Sequence, residues 1–234
     1  MIRAGVPRRL SLMIVAIMTT LDLHESGARL LEGPAGKMEV IFDLPDGEAE
    51  GIAVVAHPQP LLGGSARHKI PHFLARALRE AGWVAARPNF RGVGNSEGAH
   101  DEGRGETDDM LALCAMLRAA YPGKRLALVG FSFGAFVLAK AARTLADRGE
   151  PAWRTCLAGM PYGKIHGRGP YEPPMQIPDA LVVHGERDER VPLSAIFDWA
   201  RPQGQPVVVI PDADHFFSGK LPVLRSAVLG HLAA

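Results

Sequence analysis

The sequence predicts an α/β fold in which a mostly parallel central sheet carries helices on both faces. Short apolar runs alternate with longer segments of helical periodicity, the pattern of successive strand–helix–strand units. Several runs, such as "GIAVVA", are apolar without interruption, which is typical of parallel strands buried on both faces. A chain of 234 residues that is 47% hydrophobic is long enough to bury one large core of this kind.

The predicted strands are short and apolar. The first, residues 38–44, ends in a Pro-Asp-Gly turn, and the second, residues 52–56, is stopped by Pro58 and Pro60. The remaining predicted strands, in chain order, are residues 83–90, 125–129, 155–158, 179–185 and 206–211.

Helical periodicity marks the segments between these strands. In residues 68–82 the apolar side chains recur on one face before Gly82 ends the helix, namely Phe73, Leu74, Ala77, Leu78 and Ala81. Further helices are predicted at residues 107–120, 133–145, 192–200 and 216–233, the last of them interrupted near Pro222.

The segment between the predicted strands 155–158 and 179–185 is expected to be an irregular loop. It is rich in residues that disfavour helix, namely Pro161, Gly163, Gly167, Gly169, Pro170, Pro173, Pro174 and Pro178. Two packed helices would not fit in about twenty residues. The sequence therefore predicts no sizeable cap domain above the sheet.

The N-terminus is the one unusual segment. Arg3, Arg8 and Arg9 precede an apolar run at residues 10–18, which is too short to span a bilayer and resembles the start of a signal peptide without a clean cleavage site. We expect residues 1–18 to be an extension or signal-like segment and residues 19–234 to form a single domain. A cytoplasmic location is predicted, with export as the alternative.

Charge and cysteine content exclude several classes of function. The net charge is +1 and no long basic run is present, so neither nucleic acid nor an anionic membrane surface is an expected partner. The two cysteines, Cys114 and Cys156, lie far apart in apolar segments and are expected to be buried rather than metal-bound. No cofactor or metal is expected.

Polar residues of three types follow predicted strands. Ser132 lies within Gly130-Phe131-Ser132-Phe133-Gly134, directly after strand 125–129. Asp188 follows strand 179–185 and His215 follows strand 206–211. Because ligands of open α/β sheets bind at the carboxyl ends of the strands, these side chains are expected at one edge.

These motifs resemble those of the α/β-hydrolase superfamily from about Met38 to the C-terminus. The Gly-x-Ser-x-Gly turn between strand and helix resembles its nucleophile elbow, and "HGERDERVP" and "DADHFF" resemble its acid and histidine loops. With "HPQPLLGG" and "NFRGVGNSEG", the chain is most similar to a small uncapped bacterial subgroup of largely unassigned substrate. The resemblance implies Ser132 as nucleophile, His215 as base and Asp188 as the acid that orients it.

Alternatives exist for two of these residues. Glu186 and Glu189 compete with Asp188 and are interpreted as solvated charges. His184 and His57 compete with His215; the first is interpreted as a hydrogen-bonded structural residue and the second as a brace of the loop after strand 52–56.

The resemblance also implies an oxyanion hole of two backbone N–H groups. One belongs to Phe133, the residue after the nucleophile. In His57-Pro58-Gln59-Pro60 the prolines lack an N–H, so Gln59 is expected to supply the other, with Leu61 as the fallback. Leu61, Tyr162 and Tyr171 are expected to line the substrate pocket.

Other polar residues have structural interpretations. Glu106, Asp108 and Asp109 suit the N-terminus of a helix. His68 and His72 are expected on a helix surface rather than in a zinc site, since no third ligand accompanies them. Arg91 is expected to brace nearby backbone, with contact to a substrate anion as the alternative.

Together these features predict a serine hydrolase that forms an acyl-enzyme, most readily a carboxylesterase on small esters. Thioester or small-amide hydrolysis is the alternative within the enzyme class, and a non-catalytic binding protein of the same fold is the alternative outside it. The expected partner is a small ester-type molecule, with no stable membrane span, and the protein is expected to be a monomer or homodimer.

Overall fold

The computed structural model describes residues 25–165 and 168–234. Eight of its strands form one sheet, in the order β1-β2-β4-β3-β5-β6-β9-β10, and β7 and β8 form a separate hairpin. The strands are β1 (Gly27–Gly33), β2 (Gly36–Asp43), β3 (Gly51–Ala56), β4 (Trp83–Pro88), β5 (Arg125–Phe131), β6 (Arg154–Ala158), β7 (Gly163–Ile165), β8 (Arg168–Tyr171), β9 (Ala180–Gly185) and β10 (Val207–Ile210). The helices are α1 (Lys69–Glu80), α2 (Gly105–Ala120), α3 (Phe133–Asp147), α4 (Leu193–Ala200) and α5 (Leu221–Ala233).

The sheet is parallel except at one edge. β2 pairs antiparallel with both β1 and β4, whereas β4, β3, β5, β6, β9 and β10 run parallel to one another. Every residue of β3 and β4 is buried, as expected of strands covered on both faces. The predicted fold class, a mostly parallel sheet flanked by helices, is confirmed.

Two hydrophobic clusters cover the two faces of the sheet. On one face α2, α3 and α4 pack through side chains such as Met110, Leu138 and Trp199. On the other face α1 and α5 pack through side chains such as Leu74 and Leu224. The helices therefore cover both faces of the sheet, and the ends of the strands lie between the two helical layers.

Three elements differ from the sequence prediction. β1 was not predicted, because it is an edge strand in which only Leu31 is fully buried, so its sequence lacks the apolar run of the central strands. The C-terminal helix begins at Leu221 and carries Pro222 in its first turn. Backbone N–H groups in the first turn have no acceptor within the helix, so the proline does not interrupt this helix. The segment between β6 and β9 contains the hairpin β7–β8, whose strands are too short for a recognisable alternation.

No helix lies between β6 and β9 in the part of that segment which the structure describes, in agreement with the predicted absence of a sizeable cap. No helix among the described residues is long and apolar enough to cross a membrane. The predicted extension at residues 1–18 lies outside the described residues.

Candidate active site

Ser132 is held in a sharp turn between β5 and α3. Its backbone lies at φ 55° and ψ −121°, a conformation that is costly for a residue with a side chain. A Cβ on Gly130 would come within 2.5 Å of Ala135 Cα, and a Cβ on Gly134 would come within 2.5 Å of the Ala56 carbonyl oxygen. The two glycines are thus required by close packing of the turn against α3 and β3.

The turn is also tied to the neighbouring strand. The backbone N–H of Ser132 donates to the carbonyl of Ala158 at the end of β6 (2.8 Å). This hydrogen bond restrains the backbone of the elbow at Ser132.

Ser132, His215 and Asp188 form a continuous chain of hydrogen bonds. His215 Nε2 lies 3.0 Å from Ser132 Oγ, and His215 Nδ1 lies 2.7 Å from Asp188 Oδ2. Since a carboxylate only accepts, Nδ1 carries the proton and Nε2 is free to accept the hydroxyl proton of Ser132. The structure thus brings together the three residues that the sequence placed after β5, β9 and β10.

The carboxylate of Asp188 is fixed by its own loop. Its Oδ1 accepts the backbone N–H groups of Arg190 (3.0 Å) and Val191 (2.8 Å), and its side chain is fully buried. Oδ2 is thereby turned toward His215. The competing Glu186 instead accepts the backbone N–H of Asp212, and Glu189 is exposed at the rim of the cleft.

His184 lies next to this pair but has a different role. Its Nε2 lies 2.8 Å from the Val191 carbonyl and 3.5 Å from Asp188 Oδ2, so it donates a proton and steadies the acid loop. Burial is the main cause that lowers the pKa of His184. It is the hydrogen-bonded structural histidine that the sequence predicted.

His57 braces the turn after β3, also as predicted. Its Nδ1 lies 2.7 Å from the Pro58 carbonyl, and its Nε2 accepts the backbone N–H of Phe90 (3.0 Å). Both ring nitrogens are therefore occupied in one neutral tautomer. Complete burial lowers the pKa of His57 to about 3.

The candidate donors of the oxyanion hole are the backbone N–H groups of Phe133 and of the turn after β3. Phe133 is the first residue of α3, so its N–H has no acceptor within the helix. Leu61, the fallback for the second donor, gives its N–H to the side-chain Oε1 of Gln59 (3.3 Å). That contact leaves the main-chain N–H of Gln59 as the better candidate.

Gln59 also connects this turn to the hairpin β7–β8. Its Nε2 donates to the hydroxyl of Tyr171 at 3.1 Å, and the ring of Tyr171 packs edge-on against Phe136 at 5.3 Å between centroids. Nothing in the sequence indicated this contact, because 112 positions separate the two residues.

Ser132 lines a cleft of about 660 Å³, called here the active-site cleft. A second cleft of about 530 Å³, the side cleft, adjoins it, since Gln59, Phe133, Arg168 and Tyr171 line both. Leu61 lines the side cleft. Tyr162, which was expected to line the substrate pocket, lines neither cleft and packs half-buried against the core instead.

His68 departs from its predicted position on a helix surface. It caps the N-terminus of α1, accepts the backbone N–H of Ile70 through Nδ1 (3.4 Å) and lines the active-site cleft. Its ring stacks on Phe131 at 5.9 Å, and Phe131 in turn lies 5.1 Å from the ring of His215. Burial, and then the nearby His215, lower the pKa of His68.

The remaining polar residues have structural partners. The guanidinium of Arg91 donates to both oxygens of Asp109 (2.8 Å each) and to the Gly105 carbonyl, so it braces backbone as predicted.

Burial raises the pKa of the Cys114 and Cys156 thiols to about 12. Among the described residues, no group of three or more His, Cys, Asp and Glu side chains could hold a metal ion.

Comparison with known proteins agrees with this fold. A family model described as the alpha/beta hydrolase fold matches residues 61–149. An uncharacterized protein of Rickettsia prowazekii (strain Madrid E) is 30% identical over 209 residues, which cover 86% of each chain.

Two solved structures are similar over most of their length. One from Xanthomonas campestris, described as a member of a/b serine hydrolase without lid, is 38% identical, covers 92% of this chain and 97% of its own, and has a TM-score of 0.79. An alpha-beta serine hydrolase homologue from Coxiella burnetii is 32% identical, covers 92% of this chain and 100% of its own, and has a TM-score of 0.77.

Proposed function

The chain belongs to the α/β serine hydrolases, and on that premise we propose that it is a carboxylesterase that acts on small esters through an acyl-enzyme on Ser132. The observation that carries the proposal is the hydrogen-bond chain from Ser132 through His215 to the buried Asp188 at the base of an open cleft.

In the first half of the proposed reaction, Ser132 Oγ attacks the ester carbonyl while His215 Nε2 takes the hydroxyl proton. Asp188 stabilises the imidazolium that forms. The negative charge that develops on the carbonyl oxygen is stabilised by the N–H groups of Phe133 and Gln59. Collapse of the tetrahedral intermediate breaks the C–O bond, and the alkoxide leaves with the proton from His215.

In the second half, water attacks the acyl-enzyme. His215 accepts a proton from that water and returns it to Ser132 Oγ as the acid is released. An ester is favoured over an amide because an alkoxide leaves more easily than an amine. The absence of a helical cap in the described part of the segment between β6 and β9 supports small substrates.

The test compares the unmodified protein with Ser132→Ala on para-nitrophenyl acetate and butyrate. We expect Ser132→Ala to lower kcat by about 10³-fold or more, since removing the nucleophile leaves only binding and oxyanion stabilisation. The matched control is Ser226→Ala, whose hydroxyl donates to the Pro222 carbonyl on the surface of α5. A fluorophosphonate probe should label the unmodified protein and not Ser132→Ala.

Near-normal hydrolysis by Ser132→Ala would exclude the serine mechanism. Labelling of Ser132 together with faster turnover of a matched thioester or amide would support the serine mechanism. It would also show that the enzyme prefers to hydrolyse that bond rather than an ester. A lack of both labelling and turnover would favour a non-catalytic binding protein.

A further inference from the structure

The side cleft is placed to receive part of a substrate that reacts at Ser132. Gln59 and Phe133, whose N–H groups are proposed to bind the reacting carbonyl oxygen, form walls of both clefts. A substrate whose carbonyl lies at this position can therefore extend past Gln59 and Phe133 into the side cleft.

The charged side chains that line the side cleft leave one positive charge in excess. The cations are Arg104, Lys140 and Arg168, and the carboxylates are Glu102 and Glu172. Arg104 is already paired, at 2.8 Å from Asp101 and 3.5 Å from Glu102. Lys140 and Arg168 line the side cleft together with one remaining carboxylate, that of Glu172.

Lys140 is a partly desolvated cation. Its half-buried ammonium donates to the Gly103 carbonyl (3.1 Å) and lies 5.4 Å from the ring centroid of Phe136. Burial is the main cause that lowers its pKa, followed by the charge of Arg104, while the carboxylates of Glu106, Asp101 and Asp108 act in the opposite direction. An ammonium has three donors, so it can take a further acceptor.

Glu106, a buried carboxylate that acts on Lys140, already has hydrogen-bond partners of its own. Its oxygens accept the backbone N–H groups of Asp101 and Gly103 (2.9 Å each), and Oε1 also lies 2.8 Å from His100 Nδ1. It is fully buried and does not line the side cleft. Among the described residues Lys140 forms no ion pair, and its ammonium is therefore available to a ligand.

We propose that the side cleft binds a carboxylate of the substrate through Lys140 and Arg168, so that the natural substrate is an ester that carries a negative charge. The single excess positive charge suits a monoanion, and low exposure strengthens the attraction of Lys140 for it. The proposal rests on the proposed function, because the reacting carbonyl must lie at Ser132.

The test uses two matched ester pairs. Para-nitrophenyl hydrogen glutarate against para-nitrophenyl valerate places the charge on the acyl part, and meta-acetoxybenzoate against meta-acetoxybenzamide places it on the alcohol part. We expect kcat/KM to favour the anionic member of one pair, and the preference to weaken as ionic strength rises.

Lys140→Gln should lower that anionic-to-neutral ratio of kcat/KM by about tenfold, and Arg168→Gln should lower it severalfold because Arg168 is more exposed. The control is Lys124→Gln, which also removes one lysine charge. Lys124 directly precedes β5, at the end of that strand away from Ser132, and pairs with Glu48 (2.7 Å). A general folding defect lowers both members of a pair and leaves the ratio unchanged.

No preference for either anionic ester, or a ratio that both variants leave unchanged, would overturn the proposal while hydrolysis of the neutral esters still supports the proposed function. If no ester is hydrolysed, the proposed function fails, and calorimetric titration of the monoanion monomethyl glutarate still tests the side cleft. Binding weakened by Lys140→Gln and not by Lys124→Gln would support the cleft as a carboxylate site, and equal heats in all three proteins would overturn it.

Discussion

The hydrogen bonds of three buried histidines define which ring nitrogen of each carries the proton. His215 carries its proton on Nδ1 because Asp188 accepts there, and His184 donates through Nε2 to the Val191 carbonyl. His57 is neutral because its Nε2 already accepts a backbone N–H. These assignments follow from which neighbours can donate or accept, and they have consequences for pH dependence.

His57 is expected to make stability fall with acidification. The pKa of the buried ring is lowered to about 3, whereas a histidine in the unfolded chain titrates near 6.5. Below pH 6.5 the His57 ring binds a proton in the unfolded chain but stays neutral in the folded chain. This contribution to stability is thus fully present above pH 6.5 and is lost, at about 1.4 kcal/mol per pH unit, as the pH falls toward 3.

Chemical denaturation between pH 7 and pH 5 measures this effect. At pH 5 the number of protons taken up on unfolding should be lower by about one in His57→Gln than in the unmodified protein. His72→Gln, on the exposed side of α1, is the control. An equal pH slope for His57→Gln and the unmodified protein would contradict the assignment.

At the scale of elements, the hairpin β7–β8 supports the turn that follows β3. The hydroxyl of Tyr171, at the end of β8, accepts a hydrogen bond from Nε2 of Gln59. Oε1 of Gln59 in turn accepts the backbone N–H of Leu61. The hairpin therefore orients the backbone that is proposed to stabilise the oxyanion, although it contributes no reacting group.

Tyr171→Phe should lower kcat about fivefold with little change in KM. The substitution removes one hydrogen bond, worth about 1 kcal/mol, from a turn whose alignment matters most in the transition state. Tyr162→Phe is the control, since Tyr162 packs against the core. A rise in KM at constant kcat would indicate that Tyr171 contacts the substrate rather than positioning Gln59.

At the scale of the whole molecule, the active-site cleft lies open above the sheet. The segment between β6 and β9, which could have carried a cap, forms a hairpin of two short strands in its described part. Leu62, at the rim of the cleft, is 62% exposed. A long acyl chain would therefore stay largely in contact with water.

The open cleft predicts a preference for short acyl chains. Each methylene gains about 0.8 kcal/mol only when it is buried, so chains that extend beyond the cleft gain little. For para-nitrophenyl esters, kcat/KM should peak between acetate and butyrate and fall beyond hexanoate. A steady increase through decanoate would reveal an acyl tunnel that the described residues do not show.

The sequence by itself determined the central strands of the sheet and the polar residues that follow them. Continuous apolar strands such as β3, and the turn from Gly130 to Gly134, are local patterns, because a buried strand and a strained turn each restrict their own residues. The chain order of Ser132, Asp188 and His215 after successive strands was likewise visible without a structure.

Only the tertiary structure decided which distant side chains meet. The contact between Gln59 and Tyr171, the shift of His68 into the cleft and the packing of Tyr162 on the core all depend on how the loops fold over the sheet. So does the side cleft, where Lys140 of α3 and Arg168 of β8 come together. Such contacts join residues far apart in the chain, and no local periodicity or turn preference records them.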